Sequence, residues 1–213
     1  MLVVAFDGLL FDTFGSRARA VVEALGHEGV RADIAKVLQV LPSRSIAETV
    51  RAVVAPQTEN RRSLAHNIDE TSLDLAVLRA ERSLSALNSS GVVLSMKLAE
   101  RIRSAASVTR IVVRADSRRR EVEELLRLTE LDPLLAMTRC SDDAAGVPRV
   151  ENESTLRRSY AQIVARMAAN RNLLGNAAGI GIALEHSELA RQVAREFGFE
   201  APDDVESFAV PGV

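Results

Sequence analysis

The chain is poor in cysteine, in aromatic residues and in long apolar runs. Its 213 residues include one cysteine, Cys140, which excludes a disulfide framework and any zinc or iron–sulfur site that needs several thiolates. It has one tyrosine and no tryptophan, so the aromatic anchors that dominate many protein interfaces are scarce. Its apolar runs, such as Met1–Phe6, are too short to span a bilayer. We therefore expect no contact with a membrane.

The chain also lacks an excess of charge of either sign. Lys and Arg total 27 and Asp and Glu total 29, a net charge of -2, which argues against a nucleic-acid partner. No basic segment followed by an apolar one opens the sequence, so we expect no secretory signal and a cytoplasmic location. With 47% hydrophobic residues, the composition is that of an ordinary globular protein.

The order of apolar patterns predicts an α/β fold. Leu2–Phe6 is a short apolar run closed by Asp7-Gly8, which is typical of a buried strand and a turn. A mostly helical block follows, and strands and helices then alternate. The further predicted strands are Arg110–Val113, Leu134–Met137 (weak) and Gly179–Leu184, and the helices between and after them are Arg118–Leu128, Thr155–Ala169 and Glu188–Phe197.

This alternation predicts a Rossmann-like parallel sheet with the helical block inserted as a separate subdomain. We place the α/β core at residues 1–15 and 108–213 and the helical cap at residues 16–107. Sheets of this kind bind ligands at the carboxyl ends of their strands. The candidate functional loops are therefore those that follow Phe6, Val113, Met137 and Leu184.

The segment Val3–Thr13, with the sequence VVAFDGLLFDT, resembles the first motif of the haloacid dehalogenase-like superfamily. More narrowly, it is similar to the β-phosphoglucomutase-like phosphatases, in which Asp-x-Asp-Gly-Val-Leu-x-Asp-Thr/Ser closes the first strand. Leu41–Arg44 and Ser117–Val122 lie where similar strings lie in that branch. The resemblance covers nearly the whole chain and implies a phosphatase-type core with an inserted helical cap.

The resemblance also implies a reaction, which is phosphoryl transfer through an aspartyl-phosphate. A carboxylate is a weak nucleophile and works with magnesium, which offsets the negative charge. A second Asp, two residues later, protonates the leaving oxygen. A Ser or Thr and a Lys hold the phosphoryl group, and a late acidic pair completes the magnesium site.

The first motif of this sequence has one Asp where that reaction needs two. Aligned without a gap, Asp7 takes the acid position and Ala5 takes the nucleophile position. A gapped alignment makes Asp7 the nucleophile and loses the acid instead. The sequence leaves both alignments open, so Asp7 is a vestigial acid, the sole remaining acid, or simply the Asp of a strand-ending turn.

The later motifs depart as well. The Ser/Thr position falls on Arg114, and the Lys position has no lysine, whether its counterpart is Val147-Pro148 or lies near Ser154. The late acidic string corresponds to Glu185–Ser187, where His186 replaces the metal-binding Asp. Four departures together predict a pseudo-enzyme with a binding, regulatory or scaffolding role. The alternative is a divergent magnesium-dependent phosphatase or phosphomutase that uses Asp7 on a small phosphorylated metabolite.

We expect no resident cofactor unless the protein is active, in which case it needs magnesium, and Glu185 is only a weak metal candidate. Arg114 and Ser117 are candidates for binding a small anion, although Arg114 also suits an ion pair with Asp7, Asp116 or Glu185. The candidate partners are another protein, a second copy of the chain as a homodimer, and a small anionic ligand.

Other features favour structural roles. Cys140 suits a small buried residue, and Arg118–Arg120 suits a solvated helix face. The glycine-rich segment 175–181 lacks the ending of a phosphate-binding P-loop and precedes a predicted strand. Val50, Val53 and Val54 are either an exposed apolar patch or part of the interior of the cap.

Overall fold

A computed structural model describes residues 1–41, 44–59, 69–87, 92–143, 151–169 and 181–205. The strands are β1 (Leu2–Ala5), β2 (Ile111–Arg114), β3 (Leu135–Arg139), β4 (Gly181–Leu184) and β5 (Phe199–Glu200). The helices are α1 (Thr13–His27), α2 (Ile34–Val40), α3 (Ile46–Glu59), α4 (Glu70–Leu87), α5 (Met96–Ala105), α6 (Arg119–Leu128), α7 (Glu153–Ala169) and α8 (Glu188–Glu196). None of the helices in these ranges is long and apolar enough to cross a membrane.

The five strands form one parallel sheet in the order β3-β2-β1-β4-β5. The central strand β1 is buried along its whole length, as expected for an uninterrupted apolar run covered on both faces. The prediction of an α/β fold with a Rossmann-like parallel sheet is confirmed. The fifth strand was not predicted, because its two residues are too few to show an alternating pattern.

The chain divides into two compact units, residues 1–12 with 93–213 and residues 13–92. These limits differ from the predicted ones, which were 15/16 and 107/108. The sheet unit resumes at Val93 because the backbone amide of Asp12 donates to the carbonyl of Val93, and the amide of Ser95 donates to that of Leu10. Helix α5 therefore belongs to the sheet unit, although its helical pattern continues that of the block before it.

The helical unit contains α1 to α4 and has its own core. Val50, Val53 and Val54 are buried there in one apolar cluster with residues of α1, so they pack inside the unit and form no exposed patch. Helix α4 begins after Asp69, whose carboxylate accepts a hydrogen bond from the amide of Ser72 at 2.8 Å. The Asp69 side chain thus caps the N-terminus of this helix.

In the sheet unit, α7 packs on one face of the sheet. Val112 of β2 and Met137 of β3 pack in one cluster with Ile163 and Met167 of α7. Side chains two residues apart on a strand share a face. Arg114 and Arg139, each two residues further along its strand, therefore lie on the α7 face at the carboxyl edge.

Candidate functional site

Four strand ends bring charged side chains to the carboxyl edge of the sheet. Ala5 at the end of β1 is the register partner of Arg114 at the end of β2, and Arg114 is in turn the register partner of Arg139 on β3. Asp7 follows β1 directly, and Glu185 follows β4. The site is therefore set by the sheet, at the edge where the sequence predicts it.

The carboxylate of Asp7 is buried and bound to the loop between β2 and α6. Its Oδ2 accepts hydrogen bonds from the backbone amides of Asp116, at 2.8 Å, and Ser117, at 3.0 Å. The Ser117 hydroxyl donates to Oδ1 at 2.6 Å. The turn that follows β1 is closed by the amide of Leu10, which donates to the carbonyl of Ala5. Both carboxylate oxygens are thus engaged by donors of the chain itself.

Arg114 is held between two carboxylates. Its Nε and Nη2 each donate at 2.7 Å to one oxygen of Glu185, the two-pronged geometry that a guanidinium and a carboxylate prefer. Its Nη1 lies 3.0 Å from both oxygens of Asp116, and Glu151 adds a further carboxylate oxygen 3.7 Å from Nη2. The side chain is only 1% exposed. Of the partners named from the sequence, Asp116 and Glu185 form these ion pairs with Arg114.

Tyr160 of α7 completes the surroundings of Glu185. Its hydroxyl donates to Glu185 Oε1 at 2.6 Å, and its ring packs against Phe197 and Phe199. Burial, followed by the negative charge of Glu185, raises the pKa of Tyr160 well above its usual value. The phenol therefore stays protonated and acts as a fixed donor.

Glu151, His186 and Ser187 form a second group beside Arg114, in which Glu151 is buried and the other two residues are half-buried. The Ser187 hydroxyl donates to Glu151 and accepts from the amide of Ala190 at 3.1 Å, which caps α8. His186 Nε2 lies 3.0 Å from Glu151 Oε2. Burial disfavours the charged forms of both His186 and Glu151, but the attraction between these two charged forms is the stronger effect. The pKa of His186 is raised and the pKa of Glu151 is lowered, the latter also by Arg114.

The electrostatic balance favours a permanently charged Arg114. Burial alone lowers its pKa, but the charges of Asp116 and Glu185 outweigh burial and raise the pKa well above the usual value. The pKa of Asp116 is raised, because burial and the negative charges of Asp7 and Glu151 together outweigh the effect of Arg114. The guanidinium of Arg114 is thus the shared counter-ion of these carboxylates.

The resemblance implies a magnesium ion at this edge, and the residues present do not fit one. Mg²⁺ requires oxygen ligands in near-octahedral geometry, usually with one or two carboxylates. Both oxygens of Glu185 bind Arg114, and both oxygens of Asp7 accept from N–H or O–H donors. Among the residues that the structure describes, no group of three or more His, Cys, Asp and Glu side chains could hold a metal ion.

Some residues singled out in the sequence have structural roles. The Ser117 hydroxyl donates to Asp7, and Asp142 accepts from the first amide of α6, that of Arg119. Cys140 is buried, which raises the pKa of its thiol to about 12 and leaves it unsuited to nucleophilic chemistry at neutral pH.

Arg118 and Arg120 are exposed, as expected for a solvated helix face, and Ser154 is exposed as well. The segment 175–180 and the pair Val147-Pro148 lie outside the described residues.

No motif in the sequence marks Glu151 or Arg139. Glu151 lies in a polar stretch with no motif, so nothing in the sequence distinguishes it from a surface acid. Strand β3 was predicted to end at Met137 and continues to Arg139. The available signal was the position of Arg139 two residues after Met137, because side chains two residues apart on a strand lie on the same face.

Comparison with known proteins agrees with this architecture. No family model matches the chain, and no curated protein matches its sequence. Solved structures do match. A protein from Clostridium difficile described as a phosphatase has a TM-score of 0.67 at 13% identity, over 94% of this chain and 82% of its own. A haloacid dehalogenase-like family hydrolase from Streptococcus pneumoniae has a TM-score of 0.64 at 12% identity, over 94% and 81%.

A protein from Thermotoga maritima described as a β-phosphoglucomutase gives a TM-score of 0.63 at 13% identity, over 93% of this chain and 81% of its own. Identities this low carry information on the fold and not on activity. The sheet order, the inserted helical unit and these matches agree with the resemblance found in the first motif. The chain has the haloacid dehalogenase-like fold of these phosphatases and hydrolases.

Proposed function

We propose that the protein is a catalytically degenerate member of this fold, a pseudo-enzyme that works by binding and not by phosphoryl transfer. One observation carries the proposal. The guanidinium of Arg114 binds both oxygens of Glu185 and both oxygens of Asp116, at the strand end where the resemblance expects a hydroxyl that holds phosphate. In the reaction that the resemblance implies, a metal ion supplies positive charge at this edge, whereas here the guanidinium of Arg114 supplies it.

The state of Asp7 supports the same proposal. An aspartyl-phosphate requires a carboxylate oxygen that is free to attack phosphorus in line. Both oxygens of Asp7 accept hydrogen bonds from the Asp116–Ser117 loop, and each of these bonds makes the carboxylate less nucleophilic. Ala5, which takes the nucleophile position in the ungapped alignment, carries no group that phosphate can modify.

The test is turnover by the purified protein on a panel of sugar phosphates and an aryl phosphate, with and without magnesium. Asp7→Asn is assayed beside Asp12→Asn, which removes an exposed acid of the same segment. We expect no turnover above background in any of the three proteins, with the fold intact by circular dichroism. Magnesium-dependent turnover that Asp12→Asn retains and Asp7→Asn loses would contradict the proposal and support the divergent enzyme instead.

A protein of this kind acts through what it binds, and we propose another protein or a second copy of the chain as its partner. Sedimentation velocity over a range of concentrations separates these two. A concentration-dependent dimer supports self-association, whereas a monomer at all concentrations contradicts the homodimer.

A further inference from the structure

Helix α4 carries two exposed leucines on the side that faces away from the core of the helical unit. Leu75 is 43% exposed and Leu78 is 56% exposed. The opposite side of the same helix is apolar as well, because Ala76 and Ala80 are buried in the cluster that α4 shares with α1 and α3. Helix α4 is therefore apolar on two sides, and the residues that the structure describes cover one of them.

The two leucines lie in a row whose spacing is that of a contact between helices. Thr71, Leu75, Leu78 and Arg82 follow one another at intervals of four, three and four residues, and all four side chains are exposed. This spacing keeps side chains on one side of a helix and is the pattern by which two helices pack along each other. The α4 row, as we call these four residues, has an apolar middle and polar ends, so it fits the side of another helix.

The charges beside the α4 row differ between the two ends of the helix. In the first turns, Glu70 and Asp74 both bind the guanidinium of Arg51, at 2.5 and 2.9 Å, so two carboxylates share one positive charge. Toward the other end, Arg82 is exposed and forms no ion pair within the part of the chain that the structure describes. Its neighbour Glu81 lies about 100° around the helix axis from it, off the row. The row therefore has a negative end and a positive end.

A second copy of α4 complements this distribution when the two helices run antiparallel. With one row against the other, Leu75 lies opposite the partner's Leu78, and Thr71 lies opposite the partner's Arg82. Each Arg82 then comes beside the acidic first turns of the other copy. A parallel pair would instead set the two Arg82 side chains against each other, and like charges in such a position are unfavourable.

We propose that α4 is a homodimer surface, on which α4 of a second copy packs antiparallel across a two-fold axis. Both copies contribute the same residues, as a two-fold contact requires. This inference assigns a surface to the second-copy partner of the proposed function and rests on that proposal. The apolar part of the contact is two leucines a copy, far less than the roughly 800 Å² that each partner buries in a standard interface. We therefore expect a weak dimer, with a dissociation constant on the order of 100 μM.

The sharpest test is a disulfide between positions 71 and 82 of two copies. Thr71→Cys and Arg82→Cys are mixed and oxidised, and the antiparallel pair predicts a dimer that links the two variants. Each variant alone should give little product, because this pair separates identical positions by about 16 Å along the helix. Thr71→Cys mixed with Arg120→Cys, at an exposed arginine of α6, is the control. Cys140 is buried and does not compete.

Sedimentation velocity measures the same association without a cross-link. The wild type should form a dimer whose share rises with protein concentration. Leu78→Glu should raise the dissociation constant at least about tenfold, because it places a carboxylate in the apolar middle of the contact. Leu189→Glu makes the same change at an exposed leucine of α8 and should behave like the wild type. Arg82→Glu should weaken the dimer too, since it sets a negative charge beside the acidic first turns.

Three results would overturn the proposal. The first is a wild type that stays monomeric at every concentration. The second is a dimer in sedimentation velocity that gives no product between positions 71 and 82, because the second copy is then bound at another surface and only the homodimer of the preceding section stands. The third is a Thr71→Cys variant that links to itself, which indicates a parallel pair. These readouts measure association alone, so they are independent of the turnover assay.

Discussion

At the scale of single residues, Arg114 supplies the counter-charge for the buried acids around it. Glu185 and Asp116 are buried acids that would otherwise need a metal ion or protons, and the guanidinium supplies their counter-charge directly. Such a cluster is costly to assemble and is strongly destabilised when one partner is removed. The stability of the sheet unit should therefore depend on Arg114 more than on any exposed arginine.

Arg114→Ala should lower the free energy of unfolding by about 3–5 kcal/mol, because it leaves Glu185 and Asp116 buried without a counter-charge. The loss should be smaller at pH 5 than at pH 8. Burial already raises the pKa of Asp116 in the intact protein, and without Arg114 that carboxyl stays neutral to a higher pH, so it destabilises the folded state only as the pH rises. Urea unfolding at both pH values measures this, with Arg120→Ala as the exposed control. An equal, small loss in both variants would contradict the role given to Arg114.

His186 and Glu151 predict a pH dependence of their own. The raised pKa of His186 means that its contribution is fully present below its unfolded pKa, about 6.5, and is lost as the pH rises through the folded value. The lowered pKa of Glu151 means that its contribution is present above about 4.3 and is lost as the pH falls through the folded value. The pair therefore stabilises the fold most between these two limits.

His186→Gln should then destabilise the protein by about 1 kcal/mol near pH 5.5, and the difference from the wild type should shrink toward pH 8.5. Thermal unfolding at a series of pH values measures it, with His27→Gln, an exposed position, as the control. A difference that stays constant across the series would show that His186 acts through packing and not through charge.

At the scale of secondary structure elements, the strands with apolar runs were predictable and the shortest one was not. β1 and β2 are recognisable in the sequence as apolar runs, whereas β5 is too short for such a pattern and is positioned by its pairing with β4. Gly181 of β4 pairs with Phe199 of β5, and a Cβ on Gly181 would lie 2.7 Å from two atoms of the Phe199 ring. The absent side chain thus makes room for the ring that packs against Tyr160.

Gly181→Ala should therefore destabilise the sheet unit by about 1–3 kcal/mol, the usual cost of overpacking. Gly26→Ala, within α1, meets nothing within 4 Å and should be neutral or stabilising by up to about 1 kcal/mol. Urea unfolding of the two variants compares the same chemical change in a packed and an open position. Equal effects would contradict the close packing of β4 against Phe199.

At the scale of the whole molecule, the sequence predicted the edge at which the site lies but not most of the contacts within it. The alternation of strands and helices is enough to place the loops after β1, β2 and β4 at one edge of the sheet, whichever side chains those loops carry. The bond from Ser117 to Asp7 joins residues 110 positions apart, and that from Arg114 to Glu185 joins residues 71 apart. Such pairs are fixed by strand register, which one sequence does not specify.

The same reasoning explains why Arg114 was recognisable and Arg139 was not. Arg114 falls on a motif position, so its replacement of a hydroxyl residue is visible in the sequence. Arg139 depends on how far β3 extends and on its place beside Asp143, whose carboxylate lies 3.6 Å away. Such placements are properties of the assembled edge.

The most direct test of this account is a calorimetric titration of magnesium into the metal-free protein, with thermal unfolding in parallel. If Arg114 supplies the charge that a metal ion would otherwise supply, the wild type should give no binding heat and no shift in unfolding temperature. Arg114→Ser, which frees Glu185 and Asp116, should gain stabilisation by magnesium. Saturable magnesium binding by the wild type would contradict the account, because it would require the carboxylates to leave the guanidinium that we assign to them.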